Sequence, residues 1–143
     1  MSARATVHVR RLKESRAKVF DAWTDPATLA RWWGPKGFTN TNHVCEPVVG
    51  GRWDYTMHAP DGATFFNRSV FLEIARPERI VIDHLEPMHR FLIVATFADK
   101  DGGTELTFTQ TFETAEELAR IAAIVKPANE QNLDRLEEIL KER

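Results

Sequence analysis

The sequence predicts an α+β fold in which an antiparallel sheet of seven strands packs against one long C-terminal helix. Residues 111–143 are the only segment long enough for a major helix, and their apolar side chains recur on one face at helical spacing. From Phe38 onward the chain shows short apolar alternations separated by turn signals, with no helical segment between consecutive strands. Strands joined by short connections are antiparallel, so we expect one sheet layer and one helix layer.

The beginning of the chain predicts one strand followed by two short helices. Residues 5–13 alternate as a strand does. Ser15 can cap a helix over residues 16–24, and Asp25 followed by Pro26 is a typical start for a second helix. We therefore expect two short helices in tandem between the first strand and the rest of the sheet.

The motif Trp32-Trp33-Gly34-Pro35 ends the second helix, because Gly-Pro is a strong helix breaker. One interpretation is structural, with one indole in the core. The other places the motif at a pocket entrance or a partner surface.

Six further strands are predicted between the turn signals. The strands are residues 39–47, 52–59, 63–75, 79–86, 90–99 and 104–112. The turn signals are Gly50-Gly51, Pro60-Asp61-Gly62, Pro77-Glu78, Glu86-Pro87 and Asp101-Gly102-Gly103. With residues 5–13 they make seven strands.

Alternation along each strand predicts which side chains face the helix. They are Trp53, Tyr55 and Met57; Phe66, Arg68, Val70, Leu72 and Ile74; Ile80, Ile82 and His84; Phe91, Ile93, Ala95 and Phe97; and Leu106, Phe108, Gln110 and Phe112. The opposite face of residues 90–99 carries Leu92 and Val94, which are also apolar. We predict that the face with the phenylalanines is the one turned toward the helix.

The long helix has a capping box at Thr114 and an apolar stripe along one face. Pro127 predicts a kink or a restart near Lys126, so that the first part is a separate short segment. Asn129 falls in the middle of the stripe, where a hydrophobic residue is expected. The stripe consists of Leu118, Ile121, Ala122, Val125, Leu133, Leu136 and Leu140.

Composition favours a single domain of ordinary globular character. The chain has 143 residues, of which 43% are hydrophobic and 28% charged. The net charge of −2 disfavours nucleic acid as a partner. A single cysteine, no signal-peptide pattern and no long apolar run predict a cytoplasmic protein without a membrane span. Its oligomeric state is left open between monomer and homodimer.

No sequence motif calls for a cofactor. Nucleotide-binding glycine loops and the hydrolase GxSxG elbow are absent from the sequence. His43 and Cys45 share one strand face, but no second ligand cluster accompanies them, so a zinc site is disfavoured. We expect no metal and no cofactor.

Several segments together resemble a known family. They read VFDAWTDPATLARWWGPKGF, VVGGRWDYTM, PDG, PERIVI, GGTELTFTQTF and NLDRLEEIL. The chain is similar, over about residues 7–141, to bacterial proteins related to the C-terminal domain of the activator of the heat-shock protein 90 ATPase, within the SRPBCC or START-like superfamily. The resemblance implies a helix-grip fold, in which the sheet curves around the C-terminal helix and a cavity lies between them.

One position departs from the family pattern. Many relatives resemble Gly-Trp-x-x-x-Leu where this chain has Ala128-Asn129-Glu130-Gln131-Asn132-Leu133. An asparagine in place of an indole implies a larger or wetter cavity.

The leading functional prediction is a binding protein for a small apolar or aromatic ligand with a polar or acidic end. An apolar inner surface carrying a few polar groups is typical of ligand pockets. Arg68 would hold an acidic group, although a salt bridge to a carboxylate is the alternative interpretation of this residue. The candidate binding residues are Trp53, Tyr55, Met57, Phe66, Arg68, His84, Phe108, Gln110, Val125 and Asn129.

Two other functions are compatible with the sequence. One is an enzyme of the cyclase or dehydratase kind, with His84 or Tyr55 as acid or base and Arg68 stabilising an oxyanion. The sequence shows no paired carboxylates and no nucleophile with a base, so catalysis is the less favoured prediction. The other is a protein-interaction module like the co-chaperone domain.

Overall fold

A computed structural model describes residues 4–86 and 90–142, and it confirms the predicted fold class. The strands are β1 (Ala5–Leu12), β2 (Thr39–Cys45), β3 (Arg52–His58), β4 (Thr64–Ala75), β5 (Arg79–Glu86), β6 (Phe91–Lys100) and β7 (Gly103–Phe112). The helices are α1 (Arg16–Thr24), α2 (Pro26–Trp32) and α3 (Ala115–Leu140). The turn predicted at Glu86-Pro87 extends beyond the described residues.

The seven strands form one antiparallel sheet in the order β1-β7-β6-β5-β4-β3-β2. Strands β2 to β7 follow one another as a meander, and β1 pairs with β7 at one edge of the sheet. Within the described ranges, no helix is long and apolar enough to span a membrane.

N-cap side chains define where the two short helices begin. The side chain of Ser15 accepts from the N–H of Lys18, and that of Asp25 accepts from the N–H of Thr28. Both caps agree with the sequence prediction, because an N-cap oxygen satisfies an N–H group that has no partner within the helix. The caps therefore fix where α1 and α2 begin.

A cluster of indoles joins the short helices to the sheet. Trp23 packs edge-on against Trp32, with ring centroids 4.9 Å apart, and Trp33 packs against Trp53 at 5.2 Å. The Trp32 indole N–H donates to the carbonyl of Ala22. Trp32 therefore has the predicted structural role, and all four indoles are buried.

Helix α3 is continuous through Pro127, so the predicted restart at this residue is wrong. A proline removes the hydrogen bond to the carbonyl four residues earlier, which here belongs to Ala123. Both residues lie on the exposed side of the helix, where water can bond to the carbonyl. The lost bond is thus tolerated without ending the helix.

Apart from Leu118 near its start, the buried apolar residues of α3 lie in its second half. Leu133, Leu136 and Leu140 are almost fully buried. In the first half Ile121 and Val125 are only partly covered, although the apolar stripe predicts equal burial. The first half of the helix therefore leaves space between itself and the sheet.

Polar side chains of α3 fix the segment that follows α2. The Arg135 guanidinium donates to the carbonyls of Arg31, Trp33, Gly34 and Pro35, with N–O distances of 2.9 to 3.2 Å. Burial lowers the pKa of Arg135, and the four carbonyls compensate for the water that its charge has lost. This residue joins the end of α2 to the buried half of α3.

Arg135→Met is expected to lower the free energy of unfolding by about 1.5–3 kcal/mol, because hydrogen bonds from a charged donor are lost while its carbonyl partners stay partly buried. Urea denaturation measures the change. The same substitution at exposed Arg120 on α3 is the control, and an equal effect of the two variants would contradict the anchoring role of Arg135.

Candidate functional site

A pocket of about 350 Å³ lies between α3, the segment after α2 and one face of the sheet. Its walls are mainly apolar. The apolar lining residues are Trp33, Pro35, Phe38, Met57, Phe65, Phe91, Ile93, Phe108, Ile124 and Ala128. The Ile124 side chain is 73% exposed and marks the rim on the helix side.

Asn129 and Gln110 form a buried amide pair in the pocket wall. The Asn129 Nδ2 donates to Gln110 Oε1 at 2.9 Å and to Thr6 Oγ1 at 3.4 Å. Asn129 lies on α3, Gln110 on β7 and Thr6 on β1. Asn129 thus occupies the apolar stripe because two adjacent strands supply its polar partners.

Behind this pair, His8 and Arg10 of β1 bind acidic residues of α3. The Nδ1 of buried His8 lies 2.6 Å from Glu130 Oε2, and Arg10 contacts Glu130, Asp134 and Glu137 at 3.0 Å each. The hydrogen bond from His8, supported by Arg10, holds the pKa of Glu130 below its usual value. These contacts orient the helix face that carries Asn129.

His84 lies on the opposite wall and is oriented by Asn67. The Asn67 amide N–H donates to the carbonyl of Phe65, which turns its Oδ1 toward His84 Nε2 at 2.8 Å. In that arrangement the histidine Nε2 carries the proton and donates it. The imidazole also stacks on Phe91, with centroids 4.2 Å apart.

Tyr55 and Asn132 complete the polar lining. The Tyr55 oxygen accepts from the Trp33 indole N–H at 3.1 Å, and Asn132 Oδ1 accepts from the N–H of Gly34 at 3.1 Å. Burial raises the pKa of Tyr55 well above its ordinary value, and the Trp33 hydrogen bond offsets only part of that shift. Tyr55 thus stays protonated and uncharged at neutral pH, with an O–H that can donate a hydrogen bond.

Most of the predicted site residues lie together around the pocket. They are Tyr55, Met57, His84, Phe108, Gln110 and Asn129. Their role in binding stays a prediction, since lining a pocket is a matter of position only.

Trp53 and Val125 lie outside the pocket lining. Trp53 is in the core, stacked on Tyr55 at 4.3 Å, and its N–H donates to Asn42 Oδ1. The pocket is bordered by Ile124 and Ala128, which are four residues apart and therefore lie on one face of α3. Val125 follows Ile124 by one residue, so its side chain points away from that face.

The predicted inner positions of Phe66 and Arg68 are wrong. Phe66 is 43% exposed, and Arg68 binds Glu86 at 3.4 Å and approaches Asp54 at 3.8 Å. The salt-bridge interpretation of Arg68 is therefore the correct one. The alternative enzyme scheme also loses its oxyanion-stabilising group from the pocket.

A β-bulge explains this error. Phe71 pairs with Ile82 and Ile74 with Ile80, so both face the core although three positions separate them. The register shift between residues 71 and 73 adds one residue to β4 and reverses its alternation. Extrapolating from Ile74 back to Phe66 across this bulge assigned the wrong face.

The residues that sequence reasoning missed had detectable signals. Asn67 alternates with Phe65, Ser69 and Phe71, which is the true inner set of this part of β4. Asn132 follows Asn129 by one helical turn, so the two amides share a face. Two asparagines at this spacing in an apolar stripe indicate a polar site.

His43 and Cys45 show no metal site. His43 Nε2 bonds with Thr56 Oγ1 at 2.8 Å, and burial raises the pKa of the Cys45 thiol to about 11. Within residues 4–86 and 90–142, no three His, Cys, Asp or Glu side chains are grouped as a metal ion requires.

Comparison with known proteins gives a family and a fold. The family model described as Activator of Hsp90 ATPase homolog 1-like protein matches residues 13–141. No curated protein is significantly similar in sequence to the chain.

Solved structures of bacterial proteins have the same fold. A protein from Arthrobacter aurescens is 24% identical with a TM-score of 0.90, covering 99% of this chain and 88% of its own. One from Nitrosomonas europaea is 22% identical with a TM-score of 0.87, covering 97% and 95%. An AHSA1-like protein from Aeromonas hydrophila is 24% identical with a TM-score of 0.76, covering 97% and 96%.

Replacing either member of the amide pair alone is expected to cost about 1–3 kcal/mol of unfolding free energy, because the partner loses its hydrogen bond in a buried place. Gln110→Met and Asn129→Leu keep approximate size. The double variant is expected to cost less than the sum of the single ones, by roughly 0.5–3 kcal/mol. A double-mutant cycle in urea measures this coupling, and strictly additive costs would contradict a direct bond.

Glu130→Gln is expected to lower stability by about 0.2–1 kcal/mol at pH 7, a small effect because the carboxylate is half-exposed. A lowered folded-state pKa means that the stabilisation is present above the usual value of 4.5 and is lost as pH falls through the folded value. Urea denaturation from pH 7 to pH 3 should therefore show the two proteins converging below about pH 4.5. Glu138→Gln, on an exposed position of the same helix, is the control, and a difference constant with pH would refute the pairing.

Proposed function

Since the chain belongs to the family of Activator of Hsp90 ATPase homolog 1-like proteins, we propose that it binds a small, largely apolar molecule in the pocket between α3 and the sheet. The observation that carries this proposal is the pocket itself. Its volume of about 350 Å³ is within the range of small-molecule sites, which are mostly apolar with a few placed polar groups.

The division of α3 into a buried and a less buried half supports the proposal. Leu133 and Leu136 hold the second half against the core, whereas Ile124 and Ala128 of the first half border the pocket. Packing the whole apolar stripe of α3 against the sheet would bury more apolar surface and stabilise the protein further. The less buried first half thus gives up stability that full packing would provide. The space under the first half is therefore a feature to be used by a ligand.

The rim gives a second line of support. Ile124 and Phe65 are both substantially exposed and both line the pocket. Large apolar side chains around a concave opening lose contact with water when a ligand enters, which favours binding.

The neutral probe N-phenyl-1-naphthylamine, whose fluorescence rises in apolar surroundings, is expected to bind with saturation. Ala128→Trp should weaken this binding at least about tenfold, which corresponds to 1.4 kcal/mol, because an indole at the lining position occupies ligand space. Fluorescence titration of both proteins measures the change.

Ala123→Trp is the matched control, since Ala123 is exposed on the same helix and lies outside the pocket lining. It should bind the probe as the unmodified protein does. Absence of saturable binding, or equal weakening by the two tryptophan variants, would overturn the proposed function.

A further inference from the structure

We infer that the pocket selects an uncharged ligand whose buried end carries both a hydrogen-bond acceptor and a donor, as a carboxamide or lactam does, over the carboxylate of the same shape. This inference rests on the proposed function and deepens it. It replaces the acidic ligand end that the sequence suggested, because Arg68 lies on the other face of the sheet.

The first reason is the charge of the pocket wall. Among the described residues, those that line it include no lysine, arginine, aspartate or glutamate. A carboxylate moved from water into such a site loses hydration without gaining an opposite charge, which is costly.

The arginines near the pocket are committed elsewhere. Arg135 is bound to four backbone carbonyls, and Arg10 to three carboxylates of α3. Neither side chain belongs to the lining. Among the lining residues within 4–86 and 90–142, His84 is the one that can become a cation.

The second reason is the hydrogen-bonding capacity left over in the Gln110–Asn129 pair. The bond between them uses one N–H donor and one carbonyl acceptor. Whichever way the two amides are turned, the pair retains one carbonyl oxygen and further N–H groups. Since both residues line the pocket, this remaining capacity is available to a ligand.

Tyr55 and Asn132 add mainly donors. Their oxygens already accept from Trp33 and Gly34, which leaves the phenol O–H and the Asn132 amide N–H groups. Together with the amide pair, the site offers several donors as well as carbonyl oxygens that can accept. A carboxamide matches both kinds, whereas a carboxylate accepts only and is repelled by the carbonyl oxygen.

The test compares 1-naphthylacetamide with 1-naphthylacetate, which have the same shape and differ in charge. Isothermal titration calorimetry at pH 8 measures both dissociation constants, because at this pH the acid is a carboxylate while the amide is uncharged. The amide is expected to bind at least tenfold more tightly than the acid. Equal or tighter binding of the acid overturns the inference.

A double variant tests whether the Gln110–Asn129 pair causes the preference for the amide over the acid. In the double variant Gln110→Met/Asn129→Leu the ratio of the two dissociation constants should fall to about threefold or less. Gln131→Met, on the same helix but outside the lining, should keep the ratio of the unmodified protein. A ratio unchanged in the double variant overturns the assignment, and the comparison in the unmodified protein stands even if that variant fails to fold.

Binding of N-phenyl-1-naphthylamine distinguishes failure of this inference from failure of the proposed function. If this probe binds and neither naphthyl compound does, or if the acid is preferred, the inference is wrong and the proposed function survives. If neither the probe nor the naphthyl pair binds, both are wrong.

Discussion

The attachment of one half of α3 to the core is the constraint on which the rest of the structure depends. Leu133, Leu136 and Leu140 supply the apolar contact, and Arg135 connects the same half to the segment after α2. Because α3 is continuous through Pro127, fixing one half of the helix also constrains where the other half lies. The first half of α3 is therefore held near the sheet without packing fully onto it. A pocket can lie between them while the core contacts of the second half stay intact.

The pocket wall depends on the same attachment, because its polar groups belong to several elements that the helix holds in place. Asn132 binds Gly34, and Asn129 binds Gln110 and Thr6. Each bond joins α3 to a different part of the chain, so moving the helix would break them together. Buried amides with fixed partners specify one arrangement more sharply than apolar contact alone, because an unpaired amide is penalised wherever it is buried.

The sequence predicts the elements well because caps, breakers and turn residues act locally. Ser15, Asp25 and Gly34 are examples in which one residue fixes a boundary, and the structure has those boundaries. Period-two reasoning failed in β4, since an inserted residue reverses the faces and the bulge depends on pairing with β5. The effect of Pro127 also depended on an environment that only the folded helix supplies, namely exposure of the affected carbonyl.

Asn129 illustrates what a family pattern can and cannot say about a site. The pattern marks the position as unusual and implies more space, but the reason an asparagine is tolerated there lies on other strands, in Gln110 and Thr6. An indole at 129 would fill space and leave Gln110 without its partner, so the two positions have to change together to keep the wall satisfied. The polar character of the pocket is thus a property of the pair, and it makes this pocket chemically different from one closed by a tryptophan.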